Sequence, residues 1–221
     1  MKEENKKIYF AVKIIIVGNQ AVGKTNIVTR YVKGEFNKDY MLTISMDYLT
    51  YTLQLDEKVF YLRLYDTAGT EQFRSIRKNY YSNSCCALIV YDVTDESSFN
   101  SVKQWIEDSQ TYGRNDIHLV LVGNKIDLKD KRKISKEEGQ NLATQYGMDF
   151  YESSALTGEN INEIFEGICK FVNNQLDDGK LDLDDPSVGV TITEYEENIK
   201  IDKTLTLKEI PVAKKKKKKF C

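Results

Sequence analysis

From Ile8 to Val17 the chain is almost continuously apolar and β-branched, the pattern of a strand buried on both faces of a parallel sheet. A glycine-rich turn follows directly. Similar apolar runs recur at Ala87 to Tyr91 and Ile117 to Val122. Stretches of helical length, Ser98 to Tyr112 and Ser135 to Gly147, alternate with them. This alternation predicts a doubly wound α/β sheet with helices on both faces.

Asp47 to Leu55 and Val59 to Tyr65 also read as strands, separated only by Asp56, Glu57 and Lys58. That link is too short for a crossover helix, so the two are predicted to form an antiparallel hairpin at the sheet edge. Ile161, Ile164, Phe165, Ile168, Phe171 and Val172 recur at spacings of three and four, which places them on one face of a last helix ending near Leu176. Beyond it, Val188 to Ala213 shows some β-like alternation but no obvious partner strand, and reads as a disordered tail. The chain therefore divides into an extension over 1–7, a domain over 8–176 and a tail over 177–221.

Composition agrees with one domain plus appendages: 221 residues, 41% hydrophobic and 30% charged. The net charge of -2 averages an acidic stretch, Asp177 to Asp185, with a basic run, Lys214 to Lys219. Cys85, Cys86, Cys169 and Cys221 have neither metal-ligand spacing nor the density of a disulfide scaffold, which fits a reducing, cytosolic setting. The start, MKEENKKIYF, lacks the apolar core of a signal peptide, and no stretch approaches the roughly 20 apolar residues of a membrane span. Membrane attachment, where it occurs, is expected to be peripheral.

Chemistry concentrates at the strand ends. Gly18, Asn19, Gln20, Ala21, Val22, Gly23, Lys24 and Thr25 fit the P-loop pattern between a strand and a helix. Glycines let backbone N–H groups turn inward around phosphate oxygens, the Lys24 ammonium reaches the outer phosphates, and the Thr25 hydroxyl can ligate magnesium. Asp66, Thr67, Ala68 and Gly69 end another strand, where the Asp66 carboxylate can hold the metal and the Gly69 N–H can meet a terminal phosphate.

Asn124, Lys125, Ile126 and Asp127 follow a further apolar strand, where open α/β sheets bind ligands. An ionised carboxylate only accepts, so Asp127 suits the ring N–H and exocyclic amine of guanine. Adenine presents an unprotonated ring nitrogen there, which argues against the competing reading of a P-loop ATPase or kinase. Ser153, Ser154 and Ala155 can offer backbone N–H groups to the guanine carbonyl. Phe36 reads either as a packing residue or as an aromatic surface for the base.

The ordered motifs GNQAVGKT, Thr43, DTAG, NKID and SSA resemble the Ras superfamily of small GTPases across Ile8 to Leu176. Within it the chain is most similar to the Rab branch, on ISMDY at Ile44 to Tyr48, FRSIR at Phe73 to Arg77, Tyr80 with Tyr81, VYDVT at Val90 to Thr94, and SFNSVKQW at Ser98 to Trp105. The resemblance implies a P-loop GTPase fold: a mostly parallel six-stranded sheet with one antiparallel edge strand. It implies GTP or GDP bound with Mg2+, the metal held by Thr25, Thr43 and Asp66. The implied nucleotide site adds Asn26, Phe36, Tyr40 and Leu156 to the residues above, with Phe36 stacked on guanine. Lys24, Thr43, Gly69 and the residue at Thr70 take the catalytic places. Loss of the third phosphate then releases Thr43 and Gly69 and loosens both switch segments.

The same resemblance implies vesicle-traffic effectors, an exchange factor, a GTPase-activating protein, and an escort protein or dissociation inhibitor. It places the protein on the cytosolic face of endomembranes. Thr70 stands where the family has a water-orienting glutamine, so slow intrinsic hydrolysis is expected; a mostly GTP-loaded binding scaffold is the alternative. Gln20 replaces a small P-loop residue, Tyr65 a tryptophan, Ser45 a glycine and Leu156 a lysine. Six lysines ahead of Phe220 and Cys221 read as a membrane-directed run with Cys221 the lipidation site, although neither a double cysteine nor a CaaX box is present. No nucleic-acid partner is expected.

Overall fold

The computed structural model describes residues 8–37, 47–67, 80–194 and 201–205. Its centre is β1, Ile8–Val17. On one side β1 pairs in parallel with β3, Lys58–Asp66, from Tyr9 opposite Val59 to Ile16 opposite Asp66. On the other it pairs in parallel with β4, Cys86–Asp92, over Ile14 to Val17 only. Because strand side chains alternate, Ile14 and Ile16 enter one core and Ile15 and Val17 the opposite one. Covering on both faces explains why the run is almost continuously apolar rather than alternating.

The hairpin predicted from the short link is present: β2, Asp47–Leu55, pairs antiparallel with β3 in a register that brings Leu55 opposite Lys58. Asp56 turns the chain with φ 51°. β5, His118–Asn124, and β6, Asp149–Ser153, extend the parallel side, giving the order β6-β5-β4-β1-β3-β2.

Five helices cover the sheet among the described residues. α1, Lys24–Lys33, supplies Ile27, Val28 and Tyr31 to one core. The predicted Ser98 to Tyr112 helix is two elements, α2, Glu96–Asn100, and α3, Val102–Tyr112. The hydroxyls of Ser98 and Ser101 donate to the carbonyls of Asp95 and Ser97, local bonds that compete with a continuous helical ladder. α3 brings Val102, Trp105 and Ile106 to the second core. α4, Lys136–Tyr146, runs between a Ser135–Glu138 capping box and Gly147 at φ 67°. α5, Ile161–Asp177, buries Ile164, Phe165, Ile168 and Val172 against the first core. There Phe165 stacks on Tyr31 with ring centroids 4.0 Å apart.

Two further strands correct the sequence reading of 188–213 as lacking a partner strand. β7, Val190–Glu194, pairs antiparallel with Ile8 to Val12, the stretch of β1 that β4 leaves uncovered. β8, Lys203–Leu205, pairs in parallel with Leu53 to Leu55. Among the described residues the sheet thus has eight strands rather than six, and β2 is flanked by β8 instead of forming the edge. For β7 the physical cause is the β1 backbone that β4 leaves unpaired. Lys13 N–H donates to Gly189 O, Cys85 N–H donates to Lys13 O, and Val188 and Val190 are buried in the first core. Remaining residues of 188–213 lie outside the described ones or between the strands.

Candidate functional site

The carboxyl ends of β1, β3, β4, β5 and β6 deliver Gly18, Asp66, Asp92, Asn124 and Ser153 to one end of the sheet. The loop after β1 needs its glycines. Gly18 has φ 141°, and a β-carbon on it would lie 2.2 Å from Val90 O. Gly23 has φ 97°, and its β-carbon would lie 2.4 Å from Asn124 Nδ2. Ala21 itself takes φ 64°.

α1 starts directly from this loop with Gly23 at its N-cap, no capping side chain and no acidic residue in its first turn. The positive end of the helix macrodipole therefore faces the loop with no capping side chain of its own, which is the arrangement that binds phosphate. Lys24, 6% exposed, lies across it with Nζ donating to Gly18 O and Asn19 O, both at 2.9 Å. Burial lowers its pKa to about 8, opposed by the charge of Asp66. Gln20 and Ala21 are exposed at the loop's outer side.

Thr25 Oγ1 donates to Asp66 Oδ2 at 2.5 Å, joining the first turn of α1 to the end of β3. Asp66 is 6% exposed, and Thr67 Oγ1 donates to Ile16 O at 2.7 Å, fixing the chain beside it. A hydroxyl and one carboxylate are hard oxygen donors of the kind magnesium takes when substrate phosphates and water complete its shell. The residues present fit that ion.

At the other end of the site, Asn124 is 1% exposed and links three loops. Its Nδ2 donates to Val22 O at 2.8 Å, and its Oδ1 accepts from Ala155 N at 3.2 Å and Ser153 Oγ at 3.3 Å. Ser154 Oγ donates to Asp127 Oδ1 at 2.6 Å, leaving the half-exposed carboxylate a defined orientation. Lys125, with φ 69°, places Nζ 2.6 Å from Asp92 Oδ2. The Ser154 and Ala155 amides, expected to meet a base carbonyl, donate to Glu159 O and Asn124 Oδ1.

Asn26 exchanges bonds with the backbone of Asn37, holding the chain beyond α1. Phe36 in that stretch is half-buried against the first core, and Leu156 is 41% exposed. Tyr40, Thr43, Gly69, Thr70 and Cys221 lie outside the described residues. Three participants went unread in the sequence. Trp105 Nε1 donates to Asn19 Oδ1 at 2.8 Å while Asn19 Nδ2 donates to Ser101 Oγ at 3.1 Å, so α3 braces the phosphate loop. Asp92 anchors Lys125, and Arg30 of α1 bonds the loop after β6.

Comparison with known sequences agrees with this geometry. The Ras family profile matches residues 13–174. A Ras-related protein RAB1BV from Beta vulgaris is 38% identical over 170 residues, covering 76% of this chain and 79% of that protein.

Proposed function

Since the chain belongs to the Ras family of small GTPases and is Rab-like within that superfamily, we propose that it is a guanine-nucleotide switch acting in vesicle-mediated transport. The observation that carries this reading is the meeting of Thr25 and Asp66 at 2.5 Å beside the buried Lys24. It supports a site where a triphosphate sits at the N-terminus of α1.

In that reading, Thr25, Asp66 and Thr43 would hold magnesium, which would supply positive charge against the outer phosphates. Lys24 binds the outer phosphate oxygens, and α1 orients them with its first amides. Asp127, oriented by Ser154, accepts from the guanine ring N–H and amine, while Phe36 covers the base. Thr43 and Gly69 sense the third phosphate, and their release signals the GDP state to effectors. Exchange factor, activating protein and escort or dissociation-inhibitor partners follow from Rab-like membership. The Lys214 to Lys219 run, at about 1 kcal/mol per lysine on anionic lipid, and a lipid on Cys221 would hold the protein on endomembranes.

Thr70 lacks the amide that orients the attacking water, so intrinsic hydrolysis is slow. Single-turnover GTP hydrolysis of the chain beside its Thr70→Gln variant tests this. Acceleration in the variant is the expected result. Equal rates would remove the role given to position 70 and favour the mostly GTP-loaded scaffold.

A further inference from the structure

Arg30 lies two helical turns from Lys24 and takes no part in the phosphate chemistry. Its three donors nevertheless reach both sides of the proposed base pocket. Nε donates to Ala155 O at 2.8 Å and Nη2 to Leu156 O at 2.6 Å, gripping the loop after β6. Nη1 donates to Gly34 O at 2.7 Å, at the left-handed residue that ends α1. The guanidinium carbon stands 6.0 Å from the centroid of Phe36, two residues further on.

The planar fork explains why arginine suits this place. Guanidinium presents several donors in fixed directions, whereas a lysine ammonium is a single point on a flexible stem and cannot span carbonyls from two segments. The loop it grips carries Ser154, whose hydroxyl orients Asp127, and Ala155, whose amide meets Asn124 Oδ1. The segment it grips through Gly34 carries Phe36. One side chain thus ties the hydrogen-bonding wall and the aromatic wall of the pocket to α1, the helix that begins at the phosphate loop.

We propose that Arg30 is a specificity-determining positioning residue: it sets the spacing of the base pocket by joining the Ser153–Leu156 loop to the Phe36 segment. This rests on the guanine-nucleotide reading of the site. Arg30 acts through Ser154, Asp127 and Phe36 and touches no phosphate.

The test is equilibrium binding of GDP, ADP and inorganic pyrophosphate, each with magnesium, to the full chain and to its Arg30→Lys and Arg30→Ala variants. Loosening the base pocket lowers GDP affinity and shrinks the ratio of GDP to ADP affinity about tenfold or more in Arg30→Ala, one lost charged hydrogen-bond set. Arg30→Lys, which keeps charge and stem, loses a smaller part of the ratio and keeps the fold testable. Pyrophosphate affinity stays unchanged in both. An unchanged GDP to ADP ratio in both variants overturns the proposal, as does a fall of pyrophosphate affinity in parallel with GDP, the mark of general damage. A wild-type chain that does not prefer GDP to ADP would overturn the guanine reading itself, and this inference with it.

Discussion

The carboxamide of Asn124 lies where a side chain on Gly23 would begin: a β-carbon there would sit 2.4 Å from Asn124 Nδ2. That nitrogen is fixed by Val22 O at 2.8 Å, and its partner oxygen by Ala155 and Ser153. The loops after β1, β5 and β6 are therefore one hydrogen-bonded unit. Gly23→Ala adds strain at φ 97° and displaces the carboxamide, together costing about 3 kcal/mol. Calorimetric titration with GDP should show an affinity loss of about a hundredfold. Unchanged affinity would mean that these loops adjust independently.

In the proposed function Asp127 reads the base through acceptors alone, so its amide isostere should read a different base. Asp127→Asn places an N–H donor where guanine presents an amine, and a donor suits the carbonyl that xanthine carries at that carbon. Competition assays should show GDP affinity falling by about tenfold or more and XDP affinity rising. A variant that keeps its preference for GDP would remove Asp127 from base recognition.

Three thiols are sealed in the core. Burial raises the Cys85 pKa from 9.0 to about 12 and holds Cys86 and Cys169 still further up. Thiolate is the reactive form, so iodoacetamide at pH 8 should leave the peptides containing these residues unmodified in the native protein and label them after denaturation. The sign for stability follows from the same shift. A folded pKa above the unfolded value gives stability that is fully present below pH 9.0 and is lost as pH rises toward 12. Mass spectrometry showing rapid native labelling of Cys85 or Cys169 would contradict the burial.

The tail beyond α5 belongs to the folded unit at least through β7. Gly189 takes φ 71°, and a β-carbon on it would lie 2.1 Å from Cys85 N. Gly189→Ala should destabilise the protein by about 2–4 kcal/mol. Thermal unfolding at about 2–4 °C per kcal/mol should then fall by roughly 5–15 °C. A variant melting with the wild type would show that β7 does not hold its place on β1. The outer strand β8 is fastened differently: Asp202 accepts from Thr52 N, and Lys203 pairs with Glu166.

The core strands were readable because each carries its own signal. Ile8–Val17 is apolar at every step but Lys13, since both faces are covered, and Ser135 with Glu138 and Gly147 marks both ends of α4. Site residues in contiguous motifs, from Gly18 to Thr25 and from Asn124 to Asp127, were readable for the same reason. β7 and β8 were not, because the alternation of Val190–Glu194 does not say which strand it pairs with, and both partners lie far away in sequence. Val190 opposite Val12 and Lys203 opposite Leu53 are facts of tertiary pairing. Trp105 and Arg30 escaped similarly: an indole and a guanidinium on helices read as packing and surface until Asn19 and the carbonyls of Ala155 and Leu156 are seen beside them.

Displacement of a fluorescent GDP analogue from the full chain, with magnesium present, by unlabelled GTP, GDP and ATP tests the central claim most directly. GTP and GDP should displace it at comparable low concentrations, with ATP at least about a thousandfold weaker because adenine lacks the ring N–H and neighbouring amine that guanine presents to Asp127. Equal displacement by ATP, or none by GTP, would contradict the account.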